Sequence, residues 1–268
     1  MRTVRTVAEM RSALEEPWRG IHRIGLVPTM GALHAGHVAL LRTARRASDL
    51  VVMSLFVNPS QFDTADDLAR YPRSESEDLA IAASEGVDIA FAPSADELYP
   101  AGFDTWVEPG TLATVLEGVS RPGHFRGVAT VCTKLFSTVR PTVAYFGQKD
   151  AQQVEVIRRL VADLDLGLSI EAVPTVRDPD GLALSSRNRF LSADERASAL
   201  SLPRALEAGR AADATGGDPV AAARTVLDDE PTLTVDYVEV ADFDVPTLVG
   251  AVRIGGTRLI DNVRLGPR

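Results

Sequence analysis

Apolar and polar positions follow two different patterns along the chain. Over the first two-thirds, short apolar runs alternate with longer stretches of helical period. Residues 24–27 read as a strand cut by Pro28. Residues 37–47 read as a helix with Val38, Leu40, Leu41 and Ala44 on its inner face. The run 50–57 is almost continuously apolar, which predicts a strand buried on both faces. A helix over 76–85 stops at Gly86, and a short strand follows at 89–91. A helix over 128–139 is stopped by Pro141. A strand at 143–146, a helix over 151–163 and a strand at 168–173 complete the series. This β-α-β-α rhythm predicts an α/β fold, a parallel sheet with helices on both faces.

The pattern changes near Pro174. Asp178-Pro179-Asp180-Gly181 is a turn cluster. Helices are expected over 192–211 and 219–228, the first opened by a Ser192/Glu195 capping box. Strands follow at 235–240, 248–254 and 257–261, and Gly255-Gly256 joins the last two as a hairpin signal. The C-terminal third therefore reads as a small α+β unit. The boundary falls near Val176, giving domains 1–175 and 176–268.

With 268 residues the chain can bury a core without staples. Its composition, 45% hydrophobic and 24% charged, is that of a soluble globular protein rather than a disordered or fibrous one. The net charge of −9 disfavours nucleic acid or an anionic membrane as the main partner, while leaving room for a local anion pocket. The single cysteine, Cys132, excludes an internal disulfide and a cysteine zinc cluster. No apolar run approaches the roughly 20 residues of a spanning helix. The charged N-terminus lacks a signal core, so a cytoplasmic location is expected.

The sharpest chemical feature is PTMGALHAGH, residues 28–37. A strand ends, a small-residue loop follows, and a helix starts near Gly36 or His37. A helix start offers unpaired N–H groups and partial positive charge, an anion site whose usual occupant is phosphate. His34 and His37 flank Gly36 there, two of only four histidines in the chain. Imidazoles beside phosphate can donate hydrogen bonds, and the anion would favour their charged form. Lys149, in AYFGQKDAQQ, sits at another strand-to-helix junction, where a cation is out of place unless an anion lies beside it. Asp150 there is a good N-cap. The loop around Ser185, Ser186 and Arg187 offers hydroxyls and guanidinium groups suited to phosphate oxygens. In FVNPSQF, Asn58 and Gln61 carry both donors and acceptors, suited to a substrate with hydroxyls and a carboxylate, although Asn58-Pro59 equally makes a turn. Gln153 lies one helical turn beyond Asp150. Glu77 and Asp78 either approach a phosphate-bound magnesium ion or form a plain helix face.

Taken in order, PTMGALHAGH, FVNPSQF, YPR, RPGHFRGV, YFGQKDAQQ, PTVRDPDGLALSSRNRFLS and TRLIDN resemble the pantoate–β-alanine ligase (pantothenate synthetase) family over almost the whole chain. The H-x-G-H element alone is shared by many nucleotidyltransferases; the other motifs in this order are far more specific. The resemblance implies a Rossmann-like nucleotide-binding domain with a smaller C-terminal lid, in a homodimer. It implies the ATP-dependent joining of pantoate to β-alanine through a pantoyl adenylate. ATP would lie across Met30, Gly31, Ala32, Leu33, His34, Ala35, Gly36 and His37, then Gly147, Gln148, Lys149 and Asp150, then Val176, Leu184, Ser185, Ser186 and Arg187. His37, His34, Lys149, Ser185, Ser186 and Arg187 would carry the chemistry. Gln61 and Gln153 would hold pantoate, with Asn58 nearby and β-alanine also near Gln61. Magnesium would ride on the phosphates, with Asp78 as its protein contact. Two positions depart from the family pattern: Leu184 stands where Met is frequent, and Gln148 where Glu is frequent. A nucleotidyltransferase would want more basic residues around its acceptor. A non-catalytic nucleotide sensor would not require Gln61, Gln153 and Lys149 together.

Overall fold

The computed structural model describes residues 1–20, 22–62 and 64–266. The chain divides into two compact units. One comprises Met1–Gly147 and Gln152–Val173; the other comprises Gln148–Ala151 and Pro174–Arg268. The segment Gln148–Ala151, read from the sequence as part of the first domain, is thus grouped with the second unit.

The first unit is built on six parallel strands, β1 (Arg2–Val4), β2 (Ile24–Thr29), β3 (Leu50–Leu55), β4 (Ile89–Phe91), β5 (Val143–Gly147) and β6 (Ser169–Val173), in the order β1-β4-β3-β2-β5-β6. Its helices are α1 (Val7–Arg19), α2 (Ala35–Ala47), α3 (Ala65–Arg70), α4 (Glu75–Ser84), α5 (Ala95–Leu98), α6 (Glu117–Ser120), α7 (His124–Val139) and α8 (Ala151–Asp163). Side chains alternate across a strand, and here both faces are covered. Leu26, Val52, Phe91 and Phe146 pack with Leu14 of α1, Phe136 of α7 and Ile157 of α8. Val27, Val51, Met53 and Tyr145 pack on the other face with Leu41 and Ala44 of α2 and Ala82 of α4. Burial on both sides is why β3 reads as an almost continuous apolar run, broken only by Ser54.

Strand order reverses between β2 and β5. The helix after β2 packs on one face of the sheet and the helix after β5 on the other. Such a switch opens a crevice at the carboxyl ends of the two strands, the usual ligand position in this class of sheet.

Several sequence expectations need correction. Pro28 does not end β2: it pairs in register with Ser54 of β3. Its nitrogen points toward β5, which reaches only Gly25 and Leu26, so no ladder bond needs the missing N–H. The charged N-terminus holds β1 and α1, the latter opened by a capping box in which Glu9 N–H donates to Thr6 Oγ1 (3.1 Å) and Thr6 N–H to Glu9 Oε2 (3.0 Å). Helix α7 begins four residues earlier than its apolar pattern suggested.

In the second unit the expected helix 192–211 is two helices, α9 (Ala193–Ala199) and α10 (Ser201–Ala214). Pro203 lacks the N–H that would reach the Ala199 carbonyl, and it sits in the first turn of α10, where that loss is harmless. Helix α11 (Pro219–Asp228) is capped by Asp218, which accepts from Val220 N–H at 2.8 Å. Strands β7 (Leu233–Ala241), β8 (Thr247–Ile254) and β9 (Thr257–Arg264) form an antiparallel sheet in that order. Gly255-Gly256 links the paired residues Ile254 and Thr257, as the hairpin signal predicted. Leu202 and Leu206 of α10, Leu227 of α11, and Leu248, Val252 and Leu259 of the sheet close this core.

Candidate active site

The loop that leaves β2 runs from Met30 into α2. Ala32, a non-glycine residue, is held at φ 52°. That conformation persists because the loop is pinned from below. Asp78 in the first turn of α4 accepts Ala32 N–H at 2.9 Å and Leu33 N–H at 2.7 Å, and Ser74 Oγ donates to it at 3.1 Å. Asp78 is buried. Its two oxygens are thus engaged by the loop, a structural role beyond both the magnesium contact and the plain helix face considered from the sequence. Glu77, its neighbour on α4, is exposed.

His34 and His37 cap α2 reciprocally. Gly36 N–H donates to His34 Nδ1 (3.1 Å), and His34 N–H donates to His37 Nδ1 (3.2 Å). A side chain on residue 36 would collide with the His34 ring at 2.9 Å, so glycine lets that ring fold over the helix start. The rings lie 4.2 Å apart, centroid to centroid. Both Nδ1 atoms are used as acceptors, which leaves the ring proton of each neutral imidazole on Nε2. Burial, and secondarily the adjacent His34, push the His37 pKa down to about 3. His37 is therefore neutral at pH 7 before any ligand arrives. It can still donate from Nε2.

Gln61 stands on a second platform, the 3₁₀ turn Pro59–Gln61 that follows β3. Asn58 Nδ2 donates to Gln61 Oε1 (2.8 Å) and to the Gly127 carbonyl (3.2 Å); its Oδ1 accepts from Ser60 Oγ and Tyr99 Oη, both at 2.9 Å. Asn58 is 1% exposed. Its polar atoms are committed to the turn, one of the two roles its sequence allowed, and it orients Gln61. With its oxygen taken, Gln61 presents its amide N–H groups. The backbone of Gln61 is gripped too: His124 Nδ1 donates to its carbonyl at 2.9 Å and Arg121 at 3.1 Å. Helix α7 comes this close because residue 127 is glycine; a Cβ there would lie 2.3 Å from the Ser60 carbonyl oxygen. The RPGHFRGV motif, which carried no role in the sequence reading, thus builds the seat of Gln61.

Gln152 and Gln153 divide along α8. Gln152 is buried and structural, accepting Glu117 N–H at 3.0 Å and donating to the Leu112 and Val115 carbonyls at 2.8 Å. Gln153 is half-buried, and its amide has no protein partner among the described residues.

In the second unit, Gln148, Lys149 and Asp150 form a single 3₁₀ turn. Lys149 is half-buried and has no ion-pair partner among the described residues. Ser185 caps the turn Ser186–Phe190, its hydroxyl accepting Arg187 N–H at 3.2 Å. That loop is reached through a short bridge between Arg177 and Ala183, and Leu184 N–H donates to the Val176 carbonyl at 3.0 Å.

Cys132 is buried in α7, and burial pushes its thiol pKa up to about 12, so it is no nucleophile. Among the described residues no group of three or more His, Cys, Asp or Glu is arranged to hold a metal. A cavity of about 320 Å³ borders the β2 loop at Met30 and Gly31 and takes in Asp78, but none of His34, His37, Gln61 or Gln153 lines it. No helix among the described residues is long and apolar enough to cross a membrane.

A sequence model of the pantoate-beta-alanine ligase family matches residues 2–264. A pantothenate synthetase from Roseiflexus sp. is 51% identical, over 98% of this chain and 98% of its own length. The crystal structure of pantothenate synthetase from Thermus thermophilus superposes with a TM-score of 0.94 at 45% identity, covering 100% of both chains. A pantoate-beta-alanine ligase from Francisella tularensis, solved with a βγ-ATP ligand and β-alanine, gives a TM-score of 0.84 at 35% identity, again over 100% of both chains.

Proposed function

The chain belongs to the pantoate-beta-alanine ligase family, and we infer from that membership that it joins pantoate to β-alanine at the expense of ATP, releasing AMP and pyrophosphate. The observation that carries the site assignment is the reciprocal His34–His37 cap at the mouth of the β2–β5 crevice. It combines helix-start N–H groups with two ring donors, which is what a polyphosphate takes up.

Pantoate is already a carboxylate at pH 7, so the first step needs no base. A carboxylate oxygen attacks the α-phosphorus of ATP; that O–P bond forms as the bond to pyrophosphate breaks, giving pantoyl adenylate. Positioning and stabilisation of phosphate charge supply most of the catalysis. On this reading ATP lies over Met30–His37, Gly147–Asp150, Val176 and Leu184–Arg187. His34 and His37 donate from Nε2, and Lys149, Ser185, Ser186 and Arg187 supply further charge and hydrogen bonds. Gln61 offers amide N–H groups to the oxygens of pantoate, and Gln153 helps hold that substrate. The amine of β-alanine then attacks the acyl carbonyl, an N–C bond forms, AMP departs, and a proton is released from nitrogen.

Magnesium enters as part of the substrate, as MgATP. Asp78 is assigned to the loop and not to the metal, because its carboxylate oxygens accept the Ala32 and Leu33 N–H groups. We further propose a homodimer and a cytoplasmic location, in keeping with the family and with a chain of one buried cysteine. Mass spectrometry of products from ATP, pantoate and β-alanine tests the reading: pantothenate and AMP are expected, and omission of any one substrate should abolish both.

A further inference from the structure

The C-terminal motif TRLIDN lies in β9, and the reaction outlined above gives it no part. Its last residue, Asn262, is buried. Its Nδ2 donates to two backbone carbonyls, those of Gln148 and Lys149, each at 2.9 Å. A carboxamide nitrogen carries two hydrogens, and this geometry uses both. The strand secures the same segment a second time, since Arg264 donates to Gln148 Oε1 at 2.9 Å. We propose that Asn262 is a positioning residue for Lys149, fixing the backbone from which that side chain reaches the phosphates.

A lysine side chain is poorly preorganised on its own. Its ammonium is a point charge on a flexible four-carbon stem, without the preorganised fork of arginine. Where the charge can go is set by where the backbone is held. Lys149 lies in a single 3₁₀ turn between β5 and α8, and Asn262 anchors two successive carbonyls of that turn. The preceding residue reinforces this. Asp261 pairs with Arg177 at 2.6 and 3.1 Å, and Arg177 also donates to the Gly181 carbonyl at 3.1 Å. Gly181 belongs to the turn that leads to Ser185–Arg187. Two adjacent residues of one strand thus fix both segments that carry the second unit's phosphate-binding groups.

The inference rests on the assignment of Lys149 to ATP, and a double-mutant cycle tests it with two readouts. The variants are Asn262→Asp, which keeps shape but has no donor, Lys149→Ala, and both together. ATP binding alone is measured by calorimetry, and pantoate-dependent exchange of radiolabelled pyrophosphate into ATP is measured alongside. Asn262→Asp should lower exchange by about 10–100-fold, the scale of a misplacement near 1 Å, with the KM for pantoate unchanged. In the Lys149→Ala background it should cost little more, in binding or in exchange. Equal fold losses with and without Lys149 would overturn the proposal. If Asn262→Asp does not fold, Asn262→Ser, which keeps one donor, carries the same cycle. A wild type that binds ATP with non-additive variants but gives no pantoate-dependent exchange would sink the ligase reading and leave the positioning role standing.

Discussion

In the folded chain His37 is neutral at pH 7, because burial and the neighbouring His34 hold its pKa near 3. An unfolded histidine titrates near 6.5, so below about pH 6.5 the unfolded chain binds a proton that folded His37 refuses until about pH 3. The stability this group contributes is full above pH 6.5 and lost as the pH falls toward 3. Urea denaturation at pH 7 and pH 5 should therefore show a larger acid loss for wild type than for His37→Gln; equal losses would contradict the buried, neutral assignment. His37→Ala should fold yet lose about 10²–10⁴ in adenylation, the usual worth of one positioned donor, as read by single-turnover formation of the adenylate. Asp78 makes a different prediction. Asp78→Ala orphans two loop N–H groups, at a cost on the order of 1–3 kcal/mol in stability, and weakens ATP binding. A thermal melt and an ATP titration check both effects. The magnesium dependence at saturating ATP should stay that of wild type, and a shifted magnesium requirement would restore Asp78 as a metal contact.

At the scale of elements, the site depends on how closely α7 approaches the turn after β3. Gly127→Ala places a Cβ 2.3 Å from the Ser60 carbonyl oxygen, so the turn must move and Gln61 with it. Overpacking of this kind costs about 1–3 kcal/mol. The expected kinetic signature is a raised KM for pantoate with ATP binding retained; steady-state kinetics with each substrate varied would show it, and equal losses for both would mean wider damage. This contact also marks where sequence reading ran out. Five strands of the first sheet were legible as apolar runs, while β1, three residues in a charged stretch, was not, and α8 (Ala151–Asp163) was legible from its period. His34, Gly36 and His37 stood out because a helix start needs no tertiary partner to be recognised. The loop contact of Asp78 and the roles of Gly127 and Asn262 were hidden, since each acts on a partner set by the fold, Asn262 more than a hundred residues from Lys149, whereas the turn at Asn58-Pro59 was legible locally. Helix α1 was missed although its Thr6–Glu9 capping signal is plain in the sequence. The break at Leu200 was announced by Pro203.

Across the whole molecule, groups suited to phosphate occur in both units: the His34–His37 cap in the first, Lys149 and Ser185–Arg187 in the second. Groups suited to pantoate, Gln61 and Gln153, belong to the first. Ser186→Ala and Arg187→Ala should therefore slow adenylation while each variant melts near wild type, and normal turnover in both would return their loop to a plain surface role. On the ligase reading a carboxylate attacks phosphorus before any amine is involved. Cys132, the sole thiol, is buried and held protonated, so it offers no thiolate for a covalent acyl-enzyme. The most direct measurement is exchange of radiolabelled pyrophosphate into ATP with pantoate present and β-alanine absent. Exchange that requires pantoate, and that survives Cys132→Ser, is the predicted result. No exchange, with ADP and phosphate formed in place of AMP and pyrophosphate, would mean an acyl-phosphate route and rule out the adenylate.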